Sequence, residues 1–303
     1  MIVAAIIAHY GEASNTITAV ASLAAGTVTP SLIVVVDNQD DLSGEVAASV
    51  MAAARGVSLD ILRPGENVGF AGAAAIGARR ALAAKAEWVW FVNNDADAEA
   101  HSLQRLLAAG AALPSAGLLS PLIVERGTKR VWFAGGTVRC GTLEVRHSAA
   151  PTDSITPYRT QFVTGCVMLA RASMIRHCGP PDASLFMYYE DVDWSLRQSS
   201  QGWCAFVVPT AVVHHAVARV EGRRRFGSSA VYYMTRNRLL LASRYGTSGA
   251  GVAGAVWWGL RQIAKERGAR PALQCVAAFS VGCAHGVLGR RGRMPDSLAR
   301  LLR

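Results

Sequence analysis

The stretch Trp88-Val89-Trp90-Phe91-Val92-Asn93-Asn94-Asp95-Ala96-Asp97 decides the fold of this chain. Its first five residues form a continuous apolar run, which is typical of a strand buried in a parallel sheet. The run ends in amides and carboxylates, and ligands of open α/β sheets bind beyond the carboxyl ends of the strands. Carboxylate oxygens suit a divalent cation that also holds phosphates, so the stretch predicts a Mg²⁺ or Mn²⁺ site beside a diphosphate. A solvated turn, in which Asn and Asp are also favoured, explains the same residues equally well at this point.

The composition is that of a globular α/β protein. The chain has 303 residues, of which 51% are hydrophobic and 17% are charged, enough for one large domain with an appendage or for two domains. No apolar run reaches the about 18 residues of a membrane span, and the N-terminus lacks the basic segment of a signal peptide. We therefore expect a cytoplasmic protein. The six cysteines form no C-x-x-C pair, which favours reduced, mostly buried thiols over a zinc or redox motif.

The formal net charge of +10 lies mainly in the C-terminal part of the chain. One arginine cluster contains Arg223 and Arg224, and a second lies between residues 290 and 303. Basic patches attract nucleic acid, anionic lipid or phosphorylated substrates. Neither cluster contains a recognisable nucleic-acid motif, so we expect no nucleic-acid partner. For the final cluster, a general contribution to solubility remains an open alternative.

The pattern of strands and helices divides the chain into regions. Strand and helix patterns alternate through the first ~120 residues, which predicts a parallel sheet. Short strands of antiparallel type follow, and the pattern is helical from residue 229 onward. We therefore expect a domain over residues 1–228, with halves 1–120 and 121–228, and a helical region over residues 229–303.

Two further segments have polar groups at the end of a strand or at the start of a helix. Asp37 ends the second predicted strand, where a nucleotide base would bind, and a carboxylate can accept from the N3-H of uracil or thymine. The turn 67–72 precedes a helix whose N-terminus favours anions. Taken alone, Asp37 is better explained by an Asx turn than by contact with a base. The glycines of the turn 67–72 are only a weak signal of phosphate binding.

Acids and histidines in the second half of the chain are also candidates. Glu190, Asp191 and Asp193 open a helix behind aromatic residues, and one of them could serve as a general base. Helix capping explains one or two of these acids, but it does not readily explain all three. His214 and His215 follow a predicted strand and are either core residues or, together with Asp95, ligands of a divalent ion.

Taken together and in chain order, the segments described above resemble those of the family 2 glycosyltransferases with the GT-A fold. More narrowly, they resemble the bacterial rhamnosyltransferase-like branch of that family. The resemblance covers about residues 1–245. It rests on a set of strings whose number and order are specific: residues 35–38, 67–72, 93–95, 164–166, 186–197, 202–203, 208–209, 214–215, 232–233 and 236–238.

The resemblance implies an α/β, Rossmann-like nucleotide-diphospho-sugar transferase fold with a mixed central sheet and a C-terminal helical appendage. It also implies roles at matching positions. These are donor contacts at His9, Tyr10, Asp37, Asn67, Gly69, Asn93, Asn94 and Asp95; metal ligands Asp95 and His215, with Asp97 as a further candidate; the catalytic base Asp191; and an acceptor side with Thr164, Gly165, Glu190, Trp194, Arg223 and Arg224.

Three positions depart from the family pattern. Asn93 stands where the first acid of the D-x-D motif is found, although this exchange is usual in the branch. The helix after Gly72 has alanines at 73–75, where relatives often have Asn, and this puts donor-sugar contacts there in doubt. The loop 216–228 is more basic than the Gly/Ser-rich loops of relatives.

The resemblance further implies an inverting sugar transfer for bacterial cell-surface polysaccharide synthesis. The expected donor is dTDP-L-rhamnose, with a UDP-hexose as the second choice. The expected acceptor is a glycan or a polyprenyl-diphosphate-linked glycan, whose phosphates the arginines of the basic loop would attract. The stretch at Trp257 and Trp258 either rests on the bilayer surface as a peripheral contact or packs on the domain or on the second subunit of a homodimer.

Two other classes of function are compatible with an α/β domain that has acidic residues at its sheet edge. A nucleotidyltransferase generally has a glycine-rich, cationic loop after its first strand, whereas the loop at residues 8–12 has no cation. A scaffold that keeps the fold without turnover would be favoured by the loss of Asp95 or Asp191, and both are present.

Overall fold

The structure is a computed structural model that describes residues 1–139, 141–217, 227–265 and 269–302. The described residues form two compact units. The first consists of residues 1–137, 146–183 and 191–217, and the second of residues 138–145, 184–190 and the described residues from 227 onward.

The N-terminal part of the first unit alternates strands and helices, as predicted. The elements are β1 (Val3–His9), α1 (Ala13–Ala24), β2 (Leu32–Asp37), α2 (Gly44–Ala53), β3 (Ser58–Leu62), α3 (Gly69–Ala83) and β4 (Trp88–Asn93). These four strands are parallel. Helix α3 begins at Gly69 rather than at the predicted residue 73, because the glycine-rich turn is itself the first helical turn.

Shorter strands and helices follow. They are β5 (Ala96–Ala98), α4 (Ser102–Ala112), β6 (Ala116–Glu125), β7 (Val131–Phe133), β8 (Gly136–Arg139), β9 (Glu144–His147), β10 (Tyr158–Thr160), β11 (Val167–Arg171), α5 (Ala172–Cys178), α6 (Glu190–Ser200) and β12 (Cys204–His215). The sequence patterns did not predict β5, β10 or α5. Strands β8 and β9 form a separate two-stranded sheet.

The central sheet is mixed, which confirms the prediction. Its order is β10-β12-β6-β11-β4-β1-β2-β3, with β5 paired to β12 and β7 paired to β6. Strand β11 runs antiparallel to both β4 and β6, and β12 runs parallel to β6. The carboxyl ends of β1, β2, β4, β6 and β12 therefore lie at one edge of the sheet, together with the residues that precede β11.

Close helix packing covers the parallel half of the sheet. The strand core consists of fully buried aliphatic side chains such as Ile6 and Val34. A Cβ atom at Gly77 of α3 would lie 2.2 Å from the Ile6 Cγ2 atom. Only glycine allows α3 to approach β1 this closely.

The second unit contains the C-terminal helices α7 (Ser228–Arg244), α8 (Ser248–Ile263), α9 (Ala269–Val287) and α10 (Asp296–Leu301). Helix α7 packs against both α8 and α9. The core of the second unit includes Phe186, whose ring stacks on that of Tyr233 at 5.0 Å between centroids. Among the described residues, no helix is both long enough and apolar enough to cross a membrane.

Candidate active site

The carboxyl edge of the central sheet brings together most of the predicted site residues of the first unit. His9 ends β1 beside Asp37 at the end of β2, and Asn93 ends β4 beside Ala8. Since β11 is antiparallel to β4, the turn before it reaches the same edge, where the Asn93 N–H donates to the Cys166 carbonyl (2.8 Å). The sheet topology thus assembles residues that are far apart in the sequence.

Asp95 and His215 form a carboxylate–imidazole pair. Strand β5 pairs with β12 so that His215 lies opposite Ala96, directly after Asp95. The His215 Nε2 atom lies 3.2 Å from the Asp95 Oδ1 atom, and the imidazole ring packs edge-on against Trp132 at 4.9 Å. Among the described residues, neither Asp95 Oδ1 nor His215 Nδ1 has a hydrogen-bond partner that satisfies normal geometry, although both atoms are buried.

Arg126 fixes the loop that holds Asp95. Its Nη2 group donates to the Asp95 carbonyl at 3.0 Å, and its guanidinium contacts the Asp97 carboxylate at 2.5 Å. The carboxylate of Asp97, the expected additional metal ligand, is therefore already neutralised by a cation. Arg126 was not predicted, because a single arginine after a strand has no distinguishing sequence signal.

A hydrogen-bond chain ties the loop after β1 to the end of β4. The Asn94 amide donates to the Tyr10 carbonyl (2.9 Å) and lies 3.4 Å from the Thr16 hydroxyl. The buried His9 ring lies between Thr16, at 2.7 Å from Nδ1, and Asp41, at 2.8 Å from Nε2. Because a carboxylate only accepts, Nε2 donates to Asp41. The Tyr10 ring is exposed beside this chain.

Asp37 organises the loop that follows β2. Its buried carboxylate accepts from the backbone N–H groups of Gln39 (3.1 Å), Asp40 (2.9 Å) and Leu42 (2.9 Å). The Arg63 Nε atom lies 4.0 Å from the same carboxylate. The turn interpretation therefore accounts for three of the roughly four acceptor positions of this carboxylate.

Asn38 holds the glycine-rich turn against the sheet. Its side-chain oxygen accepts from the Val68 N–H (3.2 Å), and its amide lies 3.5 Å from the Gly69 carbonyl. Asn67 in turn accepts from the Gly69 N–H at 2.8 Å. Gly69 has a φ of +72°, a conformation that favours glycine. The sequence predicts no particular role for Asn38, and the structure assigns it this positioning role.

Asp191 lies in the first turn of α6, and its carboxylate faces the turn before β11. Its Oδ2 atom accepts from the Gly165 N–H at 2.9 Å, and its Oδ1 atom accepts from the Val192 N–H at 2.8 Å. Burial raises the pKa of Asp191 above its ordinary value, against the opposing effect of the Gly165 and Val192 hydrogen bonds. Thr164 and Gly165 thus lie beside Asp191.

The other four expected acceptor residues are Trp194, Arg223, Arg224 and Glu190. Trp194 has an exposed fraction of 0%, and its indole N–H donates to the Gly179 carbonyl at 2.9 Å. The expectation that Trp194 contacts an acceptor is wrong, since its ring packs edge-on against Phe91 in the core. Arg223 and Arg224 lie outside the described residues. Glu190 begins α6 and is buried.

Two sets of side chains could hold a divalent cation. His9, Asp37 and Asp41 have potential ligand atoms within 4.8 Å of one another, but the hydrogen bonds described above already engage these atoms. The Asp95–His215 pair combines an oxygen and an imidazole donor, which suits divalent metals, and its buried Asp95 Oδ1 atom lacks such a bond among the described residues. The residues present therefore fit a metal ion at Asp95 and His215.

The fold is that of the GT-A glycosyltransferases. The chain belongs to the family described as glycosyltransferase like family 2, whose model matches residues 2–238. This membership confirms the family expected from the sequence. The predicted fold class is confirmed as well.

Curated relatives are about 30% identical to this chain over part of their length. The N-acetylglucosaminyl-diphospho-decaprenol L-rhamnosyltransferase of Mycobacterium tuberculosis is 30% identical over 173 residues, which cover 52% of this chain and 56% of the relative. The galactofuranosyltransferase GlfT1 of the same organism is 29% identical over 184 residues, or 59% of each chain. The chain thus spans somewhat more than half the length of these relatives.

Solved structures share the fold at low sequence identity. GalNAc-T7, crystallised with UDP, GalNAc and Mn²⁺, has a TM-score of 0.65 and 17% identity over 80% of this chain and 48% of that protein. TarS residues 1–349 from S. aureus has a TM-score of 0.61 and 12% identity over 99% of this chain and 83% of that protein. At these identities the likeness concerns the fold alone.

Proposed function

We propose that this protein transfers a sugar from a nucleotide diphosphate to an acceptor hydroxyl with inversion at the anomeric carbon. The observation on which the proposal chiefly depends is the meeting of the Asp95–His215 pair and the Asp191 carboxylate at one edge of the sheet. A metal-assisted leaving group and a general base are the two requirements of such a transfer.

Asp95 and His215 would hold the metal ion, which acts as a Lewis acid on the diphosphate when it is bound. Asn93 and Asn94 would contact the donor beside it. Asp97 would act indirectly, since its pairing with Arg126 fixes the loop that carries Asp95. His9, Tyr10, Asp37, Asn67 and Gly69 would border the nucleotide, and the Asp37 carboxylate would accept from the base.

Asp191 would take the proton from the acceptor hydroxyl. Two backbone N–H groups orient its carboxylate, so the oxygen is fixed before the acceptor arrives. The deprotonated oxygen attacks the anomeric carbon from the side opposite the diphosphate, the glycosidic bond breaks, and the electron pair leaves with the nucleotide. A product of retained anomeric configuration would contradict this scheme.

dTDP-L-rhamnose is the proposed donor, and a lipid-linked glycan is the proposed acceptor. The similarity to a rhamnosyltransferase that acts on N-acetylglucosaminyl-diphospho-decaprenol supports both. The UDP bound in GalNAc-T7 and in TarS favours a UDP-hexose as the second candidate donor. A nucleotidyltransferase would instead transfer the nucleotidyl group, and family membership disfavours it.

The proposal is tested first by nucleotide binding. The melting temperature would be measured with dTDP, UDP or GDP, each with and without Mn²⁺, because a ligand at about 100 times its Kd stabilises the native state by about 2.7 kcal/mol. We expect one diphosphate to give a metal-dependent shift that His215→Ala abolishes. His214→Ala is the matched control, since His214 pairs with Glu99 instead (3.1 Å).

Transfer is then assayed with the sugar nucleotide that shares the identified base. Formation of an inverted glycoside on a lipid-linked acceptor, lost in Asp191→Asn, would support the scheme. Absence of any metal-dependent shift, or a shift that survives His215→Ala, would refute the assignment of the metal site.

A further inference from the structure

Helix α8 exposes its large apolar side chains and buries its small ones. Val252, Val256 and Leu260 recur every fourth residue and are exposed, so they lie on one side of the helix. Gly251, Ala255 and Gly259 recur with the same spacing and are buried. A helix on the surface of a globular protein normally shows the reverse arrangement.

The two tryptophans of α8 differ in their surroundings. Trp257 is 66% exposed and Leu260 is 53% exposed. Trp258 instead packs against the core of the second unit. The sequence alone makes both tryptophans candidates for bilayer contact. In the structure, Trp257 lies on the exposed side of α8 and Trp258 does not.

Helix α9 adds a second exposed apolar row. Leu273 is 68% exposed, Val276 and Val287 are exposed as well, and so is Leu288 directly after the helix. The two helices pack closely, since a Cβ atom at Gly259 would lie 2.2 Å from the Phe279 ring. We call the exposed apolar side chains of this helix pair the apolar face; its members are Val252, Val256, Trp257, Leu260, Leu273, Val276, Val287 and Leu288.

The charge of the chain is concentrated in the same region. Residues 229–303 contain 12 Arg and Lys but only two Asp and Glu, whereas residues 1–228 contain 19 of each kind. Exposed cations lie near both ends of the helix pair, with Arg261 and Lys265 at the end of α8 and Arg290 and Arg291 after α9. The apolar face is thus flanked by positive charge at both ends.

We propose that the apolar face and its flanking cations form a docking surface for an anionic phospholipid bilayer, on which the helix pair lies without crossing. Apolar side chains with an interfacial tryptophan and flanking basic residues are the composition that binds such surfaces. Attraction to anionic lipid adds to the binding with each basic residue near the surface. A second copy of the chain would bring another region of net positive charge against the first, which opposes pairing through this face.

The inference is independent of the proposed sugar transfer, since its test needs neither donor nor acceptor. The full chain would be floated with vesicles of phosphatidylcholine and phosphatidylglycerol at about 3:1, and with phosphatidylcholine alone. We expect the protein to float with the anionic vesicles and to bind the neutral ones at least about tenfold more weakly. Equal binding to both, or binding to neither, would overturn the proposal.

Substitutions test whether the apolar face is the part of the protein that binds the vesicles. The double variant Trp257→Ser/Leu260→Ser should lower vesicle binding at least about tenfold, while Ile155→Ser, at a site that is 73% exposed in the first unit, should leave it unchanged. An unchanged melting temperature of the double variant shows that its fold is intact. Unchanged vesicle binding in the double variant, or an equal loss in Ile155→Ser, would overturn the assignment.

A second measurement does not depend on weakened binding. Brominated lipids should quench the fluorescence of Trp257 in the bound protein, and Trp257→Phe should keep the binding but lose that part of the quenching. Equal quenching in both proteins would contradict insertion of Trp257. Light scattering tests the alternative occupant: a dimer without lipid that dissociates in the double variant would show that a second copy covers this face.

Discussion

Asn237→Ala should destabilise the second unit by removing the side chain that holds the segment before Glu190. The Asn237 amide donates to the carbonyls of Leu185 (2.9 Å), Met187 (2.8 Å) and Tyr188 (2.7 Å). An amide has only two hydrogens, so one of them is shared between two of the three acceptors. The Asn237 side chain is fully buried, and its bond to Leu185 is buried as well.

The backbone of this segment makes the effect large. Phe186, Tyr188 and Tyr189 all have positive φ values, of 64°, 66° and 68°, and each such conformation costs about 1–2 kcal/mol outside glycine. Interactions elsewhere must therefore hold the segment in this shape, and Asn237 supplies the most direct ones.

The magnitude follows from the carbonyls that lose their donor. Leu185 keeps a hydrogen bond from Arg236 Nη2 at 2.8 Å, whereas Met187 and Tyr188 lose the bond from Asn237. These two hydrogen bonds are part-buried, and the loss of one such bond costs about 0.5–1.5 kcal/mol, so the expected loss of unfolding free energy is about 1–3 kcal/mol.

The assay is urea unfolding of the full chain combined with hydrogen exchange. Asn237→Ala should lower the urea midpoint, and the amides of residues 185–190 should exchange faster than in the wild type. Thr235→Val is the matched control, because Thr235 is equally buried on α7 and its hydroxyl has no hydrogen-bond partner among the described residues. A change below about 0.5 kcal/mol, within the usual range for sites without such contacts, together with unchanged exchange, would refute the reasoning.

Three further perturbations test the site and the fold. Because burial raises the pKa of Asp191, kcat should fall as the pH drops through a value above the ordinary aspartate pKa of about 3.9; Asp191→Asn should lower kcat about 10²–10⁴-fold without weakening nucleotide binding in the thermal-shift assay. Arg126→Met removes the contacts to Asp97 and to the Asp95 carbonyl, so Mn²⁺-dependent nucleotide binding, titrated by calorimetry, should weaken by at least about tenfold; an unchanged affinity would show that Arg126 does not position the loop. Gly77→Ala places a Cβ atom 2.2 Å from the Ile6 side chain and should reduce the unfolding free energy by about 1–3 kcal/mol, measured by urea unfolding.

The sequence predicted those elements whose hydrophobic pattern is local. The hydrophobic pattern predicts strands at residues 58–62 and 87–92, and the structure has β3 at Ser58–Leu62 and β4 at Trp88–Asn93. In the region of β12 the pattern predicts two strands, at residues 204–208 and 211–213, because Pro209 interrupts it. The structure has one strand with a register shift between Val208 and Val212, and a bulge is a position where a strand tolerates proline.

Tertiary contacts could not be predicted from the sequence. Trp194 belongs to a motif rich in acids and aromatics, and only packing shows that its ring lies in the core beside Phe91. Arg126 gains its role from a loop that is distant in the sequence. In both cases the residue type is compatible with several positions, and the fold selects one.

The pairing register determines which histidine meets Asp95. On β12, successive side chains point to opposite faces of the sheet, so His214 and His215 cannot serve the same site. The antiparallel pairing with β5 sets His215 opposite Ala96 and His214 opposite Asp97. A slip of one residue would exchange the two histidines and bring His214, which now lies 3.1 Å from Glu99, towards Asp95. The sequence offers two adjacent imidazoles and two nearby acids, and the short strand β5, which its pattern does not reveal, decides between the possible pairs.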